Sequence, residues 1–274
     1  MISWAIAWTN AKIVNEYLSF YNLIFLRFCI GSLCLLPLII KTKINSLFYN
    51  KKILYVLSAS ILFFIYNIAF FKGTYYGQAG KGAVFVTTVN PIITIIITIL
   101  INKKIYVNEI LGILIGVLGG LLIMDVFNEG FSILIDIQNI YFVFCAISWG
   151  IMTVVAKYGQ QRLPPIQFIF WCYLITTMIA FPFSNLNEII LTNLDSRFYL
   201  NFFLVSVGAM SFGTSIYIYA TSIIGPVKSS VFIFSVPFIA LGFANIILGE
   251  ILSFNVIIGG LFSILAIYVV NKKN

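Results

Sequence analysis

Residues 82–101 read GAVFVTTVNPIITIIITILI, twenty positions without a charge, with Lys81 before them and Lys103-Lys104 shortly after. At 1.5 Å per residue, a helix of that length covers about 30 Å, the thickness of a bilayer's hydrocarbon core. The apolar face is not a stripe here, because Ile, Val and Phe occur all round the helix. Such a segment needs an apolar solvent on every side.

The rest of the chain repeats the pattern. Apolar segments fall at 1–17, 22–40, 53–71, 82–101, 107–124, 137–156, 167–183, 199–219, 229–248 and 254–270, divided by charged or turn-forming clusters. Hydrophobic residues make up 61% of the 274 positions and charged residues 9%, and the mean hydropathy is +1.07. A soluble domain carries about 25% charged residues, so this chain has too few to coat a water-facing globule. The reading is an all-α membrane protein with ten transmembrane helices.

The net charge of +8 does not point to nucleic acid, because the basic residues scatter to helix ends. With both termini in the cytoplasm, the inner loops and tail hold Lys41, Lys43, Lys51, Lys52, Lys103, Lys104, Lys157, Arg162, Lys228, Lys272 and Lys273. The other side holds Lys12, Arg27, Lys72, Lys81 and Arg197, so the skew is eleven to five. Positive residues favour the cytoplasmic side, which predicts a cell (inner) membrane protein with that orientation. Arg27 is read as a boundary charge that ties helix ends together. Cys29, Cys34, Cys145 and Cys172 all lie within apolar runs and read as small buried hydrophobes.

The chain also contains itself twice. Ser3-Trp4 and Ile6 match Ser148-Trp149 and Ile151 at an offset of 145, and Ala11-Lys12 match Ala156-Lys157. Leu18 with Leu163, and Ile24-Phe25 with Ile169-Phe170, bring the total to eight identities in the 24 positions from 3 to 26. Composition alone gives roughly two. Asn90-Pro91 in the fourth segment corresponds to Val236-Pro237 in the ninth. The organisation is therefore two repeats, 1–125 and 137–274. Five spans is an odd number, so the second repeat enters the membrane from the opposite side. Inverted repeats of this kind characterise secondary transporters, with the substrate held near the midplane between the halves.

These motifs resemble the drug/metabolite transporter superfamily and its ten-helix EamA-type carriers. The resemblance is carried by Ser3-Trp4 with Lys12, Phe25-Leu26-Arg27-Phe28, Asn90-Pro91, Ser148-Trp149-Gly150 with Lys157, and Pro237 with Leu248-Gly249-Glu250. It implies a carrier of amino acids, other small metabolites or drugs, usually outward. The first repeat departs from the family at Lys103-Lys104, where an acidic residue is common. Its first segment is also short, with three residues ahead of Trp4 against about ten ahead of Trp149, and reads as incomplete.

Paired prolines are the strongest pointer to a site. Proline has no N–H to give the carbonyl four residues back, so Thr87 and Ile233 lose backbone partners. Interruptions at matching places in two halves mark backbone that lines a cavity; the alternative is a bend that only improves packing. The candidate substrate-binding residues are Trp4, Asn67, Thr87, Asn90, Pro91, Trp149, Thr153, Tyr217, Ser235 and Pro237. For each polar residue, the competing reading is a hydrogen bond between helices. For the tryptophans it is an interfacial belt.

No His occurs, and no Asp or Glu lies at mid-depth in a span. A carboxylate proton relay within the membrane is therefore not expected. No Gly-rich phosphate loop accompanies a Lys-Ser or Lys-Thr pair, and neither cofactor, metal nor catalytic group is called for. The partners expected are a small-molecule substrate and the lipid bilayer. Gly112, Gly116 and Gly120 let another helix approach closely, with Gly259 and Ser263 a shorter counterpart in the second half. Packing within one chain accounts for them, so a monomer is expected rather than a homodimer. A channel is the competing class of function, though no span has the polar stripe or charge ring of a selectivity filter.

Cysteines placed singly at Asn128 and Asn274, in a background without native Cys, are predicted to label from opposite faces of the membrane. Labelling from the same face rules out the five spans predicted between them, and with them the ten-span topology.

Overall fold

The structure is a computed structural model that describes residues 1–40, 51–102, 106–123, 125–134, 140–189, 194–249 and 253–271. Lys41, Lys43, Lys103, Lys104, Asp136, Lys272 and Lys273 lie outside the described residues, as do residues 137–139, Glu250 and Asn274. So do the side chains of Leu248 and Ser263.

Among the described residues every regular element is helical. Helices α1 (Ile2–Val14), α2 (Phe20–Ile40), α3 (Lys52–Tyr76), α4 (Ala79–Asn102) and α5 (Val107–Ile123) form the first half. Helices α6 (Ile140–Gln160), α7 (Pro165–Phe183), α8 (Ser196–Ile224), α9 (Pro226–Ile247) and α10 (Phe254–Asn271) form the second. Seven of these, α2, α3, α4, α6, α7, α8 and α9, are long and apolar enough to cross a membrane. The apolar parts of α5 and α10 are shorter. Helix α1 has 13 residues, which rise about 20 Å.

The packing follows the repeat. Helix α5 lies on α10, and α2 lies on α7. Helix α3 packs on α6 as its counterpart α8 packs on α1, and α4 packs on α6 as α9 packs on α1. Each contact therefore has a partner obtained by exchanging the halves. Two inverted copies related by an approximate two-fold axis give this pattern.

The two prolines act differently. Pro91 sits inside an α4 that continues on both sides of it. Pro237 follows a 3-10 stretch, Phe232–Ser235, which separates Pro226–Val231 from Val236–Leu248. Helix α8 is interrupted in another way: residues Leu204–Thr214 form a π-helix between two α-helical ends. Gly225, at φ +87°, ends α8, and Pro226 opens α9 at once.

The α1–α2 and α7–α8 connections meet at one end of the bundle. Asp195 caps α8 by accepting from the Phe198 N–H at 2.8 Å, and its other oxygen accepts from the Tyr17 hydroxyl at 2.9 Å. The Phe198 N–H, with Tyr17, holds the Asp195 carboxyl below its ordinary value, and the same contact pushes the Tyr17 phenol up. Asn22 accepts from the Asn185 N–H at 2.8 Å and donates to Glu188 at 3.3 Å.

The glycine face of α5 meets its own chain. A Cβ on Gly112 would strike Val270 and the Ala266 carbonyl of α10, on Gly116 the Phe234 ring of α9, and on Gly120 Thr88 of α4. From the second half, a Cβ on Gly259 would strike the Gly119 carbonyl and Ile123. Overpacking a close helix contact costs about 1–3 kcal/mol. Gly112→Ala is therefore predicted to lower the Tm of the purified protein. Gly242→Ala, with nothing within 4 Å of the new methyl, is predicted to leave it unchanged or raise it slightly.

Candidate functional site

A cavity of about 40 Å³ lies where seven helices of both halves converge. Helix α1 contributes Trp4, Ala7 and Trp8, and α2 contributes Arg27 and Phe28. Helix α3 adds Phe63, Tyr66, Asn67 and Phe70, and α4 adds Val86, Thr87 and Asn90. The second half supplies Trp149 from α6, Ala209, Met210 and Thr214 from the π-helix of α8, and Ile233 and Val236 from α9.

The repeat-equivalent tryptophans meet at its centre. Trp4 and Trp149 touch edge to face, with centroids 5.0 Å apart. Tyr217 packs on both, at 4.9 and 5.8 Å, and Tyr66 packs on Trp149 at 4.7 Å. Such pairs contribute about 0.5–1.5 kcal/mol each beyond the area they bury. Tyr217 shares a hydrogen bond of 3.1 Å with Thr153, whose hydroxyl also donates to the Trp149 carbonyl. The Trp149 indole N–H is buried and makes no hydrogen bond.

The π-helix explains how α8 joins the site. Its wider turn turns carbonyls outward, and three side chains from other helices take them. Arg27 Nε donates to Val205 O at 3.1 Å, Trp4 Nε1 to Ala209 O at 3.0 Å, and the Tyr173 hydroxyl to Met210 O at 2.9 Å. Gly213 admits α1, since a Cβ there would meet Ser3 and the Trp4 ring.

Of the residues singled out from sequence, Trp4, Asn67, Thr87, Asn90 and Trp149 line the cavity, and Tyr217 and Thr153 stand behind its tryptophans. Pro91 and Pro237 each follow a lining residue. Thr87 and Ile233, four positions before them, both line the cavity. Ser235 does not; its hydroxyl turns back to the Phe232 carbonyl at 2.9 Å.

Arg27 is placed differently from its reading as a charge tying helix ends. It is 6% exposed, eight residues into α2, and donates through Nη1 to Asn67 Oδ1 at 2.7 Å. Phe70 and Phe71 lie 5.4 and 5.8 Å from its guanidinium carbon. The available signal was a cation with Leu26 before it and Phe28 after it. Starting the second segment at 22 instead of Phe20 placed it nearer the surface than it lies.

The sequence matches the EamA-like transporter family over residues 1–125 and again over 137–272. The chain belongs to that family. A Bacillus subtilis (strain 168) protein named "Uncharacterized transporter YoaV" is 24% identical over 263 residues, covering 94% of this chain and 89% of its own length. One solved crystal structure shares the fold with a TM-score of 0.70 at 15% identity, over 98% of this chain and 95% of that one. The protein is an integral membrane transporter built from two EamA-type repeats.

Tyr217→Phe keeps the ring contacts and loses one hydrogen bond, a predicted cost of about 0.5–1.5 kcal/mol. Tyr217→Ala empties the slot beside Trp4 and Trp149, at about 3–5 kcal/mol by analogy with other aromatic truncations. Thermal unfolding in detergent checks both, and equal losses would mean that the ring contributes nothing there.

Proposed function

We propose that the chain is a secondary carrier that moves a small metabolite by alternating access, with amino acids and related compounds first among its substrates and export as its direction. The observation that carries this is the cavity itself: Trp4 and Trp149, equivalent positions of opposed repeats, meet edge to face within it. A site on a pseudo-two-fold axis is contacted alike by both halves. Exchanging their conformations then exposes it to either side in turn.

The cavity of about 40 Å³ draws its lining from both halves, as a site shared between opposed repeats does. Trp4 also lines a second cavity, of about 220 Å³, with Met1, Ser3, Gly213, Tyr217 and Phe232. One ring thus lines both spaces. We place the protein in the cell (inner) membrane as a monomer with both termini cytoplasmic, on the lysine and arginine skew. The substrate is passed on unchanged, and no catalytic role is assigned to the site.

Purified protein in vesicles is predicted to show saturable counterflow of its substrate, accelerated when unlabelled substrate fills the opposite compartment. Asn90→Ala is predicted to lower that flux at least several-fold while the Tm stays close to wild type, since its Oδ1 receives one long bond from Thr94 at 3.3 Å. Flux that rises linearly without saturation or counterflow would identify a channel. Loss of folded protein in step with flux would assign Asn90 to packing.

A further inference from the structure

We infer that the central cavity binds an organic monoanion, its carboxylate held by Arg27 and its apolar body by Trp4, Tyr66 and Trp149. The inference rests on the carrier reading above and narrows its small metabolite to a monocarboxylate, ahead of the amino acids named there.

Arg27 is a cation about 10 Å inside α2, counted at 1.5 Å per residue, and it lines the cavity at 6% exposure. A guanidinium has five N–H donors and stays charged at any pH a protein meets. Two of its nitrogens are engaged, Nε by the Val205 carbonyl and Nη1 by the Asn67 amide oxygen, and both acceptors are neutral. The Phe70 and Phe71 rings lie 5.4 and 5.8 Å away and add no formal charge.

Among the described residues no carboxylate is placed to balance it. The six acidic residues there, Glu16, Glu109, Asp125, Glu129, Glu188 and Asp195, lie in connections or at helix ends. Among the described residues the one ion pair joins Arg197 to Glu16 at the surface. The cavity therefore holds one positive charge in surroundings of low dielectric, where an opposite charge is attracted far more strongly than in water. Charged side chains inside membranes mark ligand pathways by default, with a partner to be named.

A carboxylate suits the guanidinium's planar donors, which bind it through paired hydrogen bonds. The charge balance goes further. A monoanion neutralises the cavity, whereas a zwitterion leaves it positive and brings an ammonium that meets only carbonyls and ring faces. An amine adds a second positive charge. The order of affinity is monoanion, then zwitterion, then amine.

Phenylpropionate, phenylalanine and phenethylamine carry one apolar body with these three heads. Their binding to the purified full-length protein is followed by tryptophan fluorescence, and their counterflow in vesicles is followed in parallel. Phenylpropionate is expected to bind about tenfold or more tighter than phenylalanine, with phenethylamine weakest. Arg27→Gln is expected to lose that preference, and Arg27→Lys to keep part of it. Asn67→Asp sets a carboxylate against the guanidinium while keeping their contact. It is expected to remain folded and to lose the preference, which decides the matter should Arg27→Gln fail to fold.

Equal binding of all three, no binding of any, or a folded Arg27→Gln with the preference intact overturns the proposal. Anion binding that depends on Arg27 without any counterflow supports the site and overturns the carrier reading. Counterflow indifferent to head group and to Arg27 does the reverse.

Discussion

A guanidinium buried inside a membrane protein, with no carboxylate of the described residues against it, constrains everything packed around it. Removing an ion from water costs several kcal/mol even after the protein relaxes, so the Arg27 site must return most of that through neutral dipoles. Asn67 is held for this purpose from behind: its own amide donates to the Phe63 carbonyl at 2.8 Å, which turns Oδ1 toward the guanidinium. The Val205 carbonyl that accepts from it lies in the π-helical part of α8, where the ordinary ladder is shifted by one residue. The Phe70 and Phe71 rings contribute about 0.5–2 kcal/mol each by cation–π attraction. The π-helix, the Asn67 rotamer and the aromatic collar thus answer one electrostatic demand.

The same shortage of water governs the uncharged polar groups. Ser60, Thr74, Thr94, Ser148, Thr153 and Thr176 each return a hydroxyl to a carbonyl four residues earlier in their own helix. A hydroxyl used this way is satisfied without help and leaves the helix exterior apolar. Against that background exceptions stand out, among them the Thr9 hydroxyl, the Asn10 amide nitrogen and the Trp149 indole N–H, which are buried without a partner. Of these, Trp149 lines the cavity.

How far the sequence could be read depended on whether a feature leaves a pattern in an apolar run. Helices do, because a run such as 82–101 has no other way to bury its backbone in lipid. The repeat did as well, through Trp4 and Trp149 and the two prolines, and these features brought seven of the ten candidate residues to or directly behind one cavity. The π-helix left none: in LVSVGAMSFGT a change from 3.6 to 4.4 residues per turn alters no polar stripe, since there is no stripe to alter. Arg27 was visible as a charge but not as a buried one, because depth depends on where α2 begins. Ser235 lies off the cavity lining for a related reason. Its place beside Pro237 is correct in sequence, but the 3-10 turn rotates it off the cavity face.

The halves match in packing but not in chemistry, and that difference bears on mechanism. The position 145 residues after Arg27 is Cys172, a buried thiol that donates to the Val56 carbonyl at 3.9 Å. A strong cation therefore sits on α2 while α7 offers only a weak donor. Arg27 also bonds to both halves at once, to Asn67 of the first and to Val205 of the second. The Asn67 bond stays within the first half, whereas the Val205 bond joins the two halves. Under the proposed carrier reading, a ligand that engages Arg27 acts on a residue tied to both halves at once, and this is how binding there couples to movement.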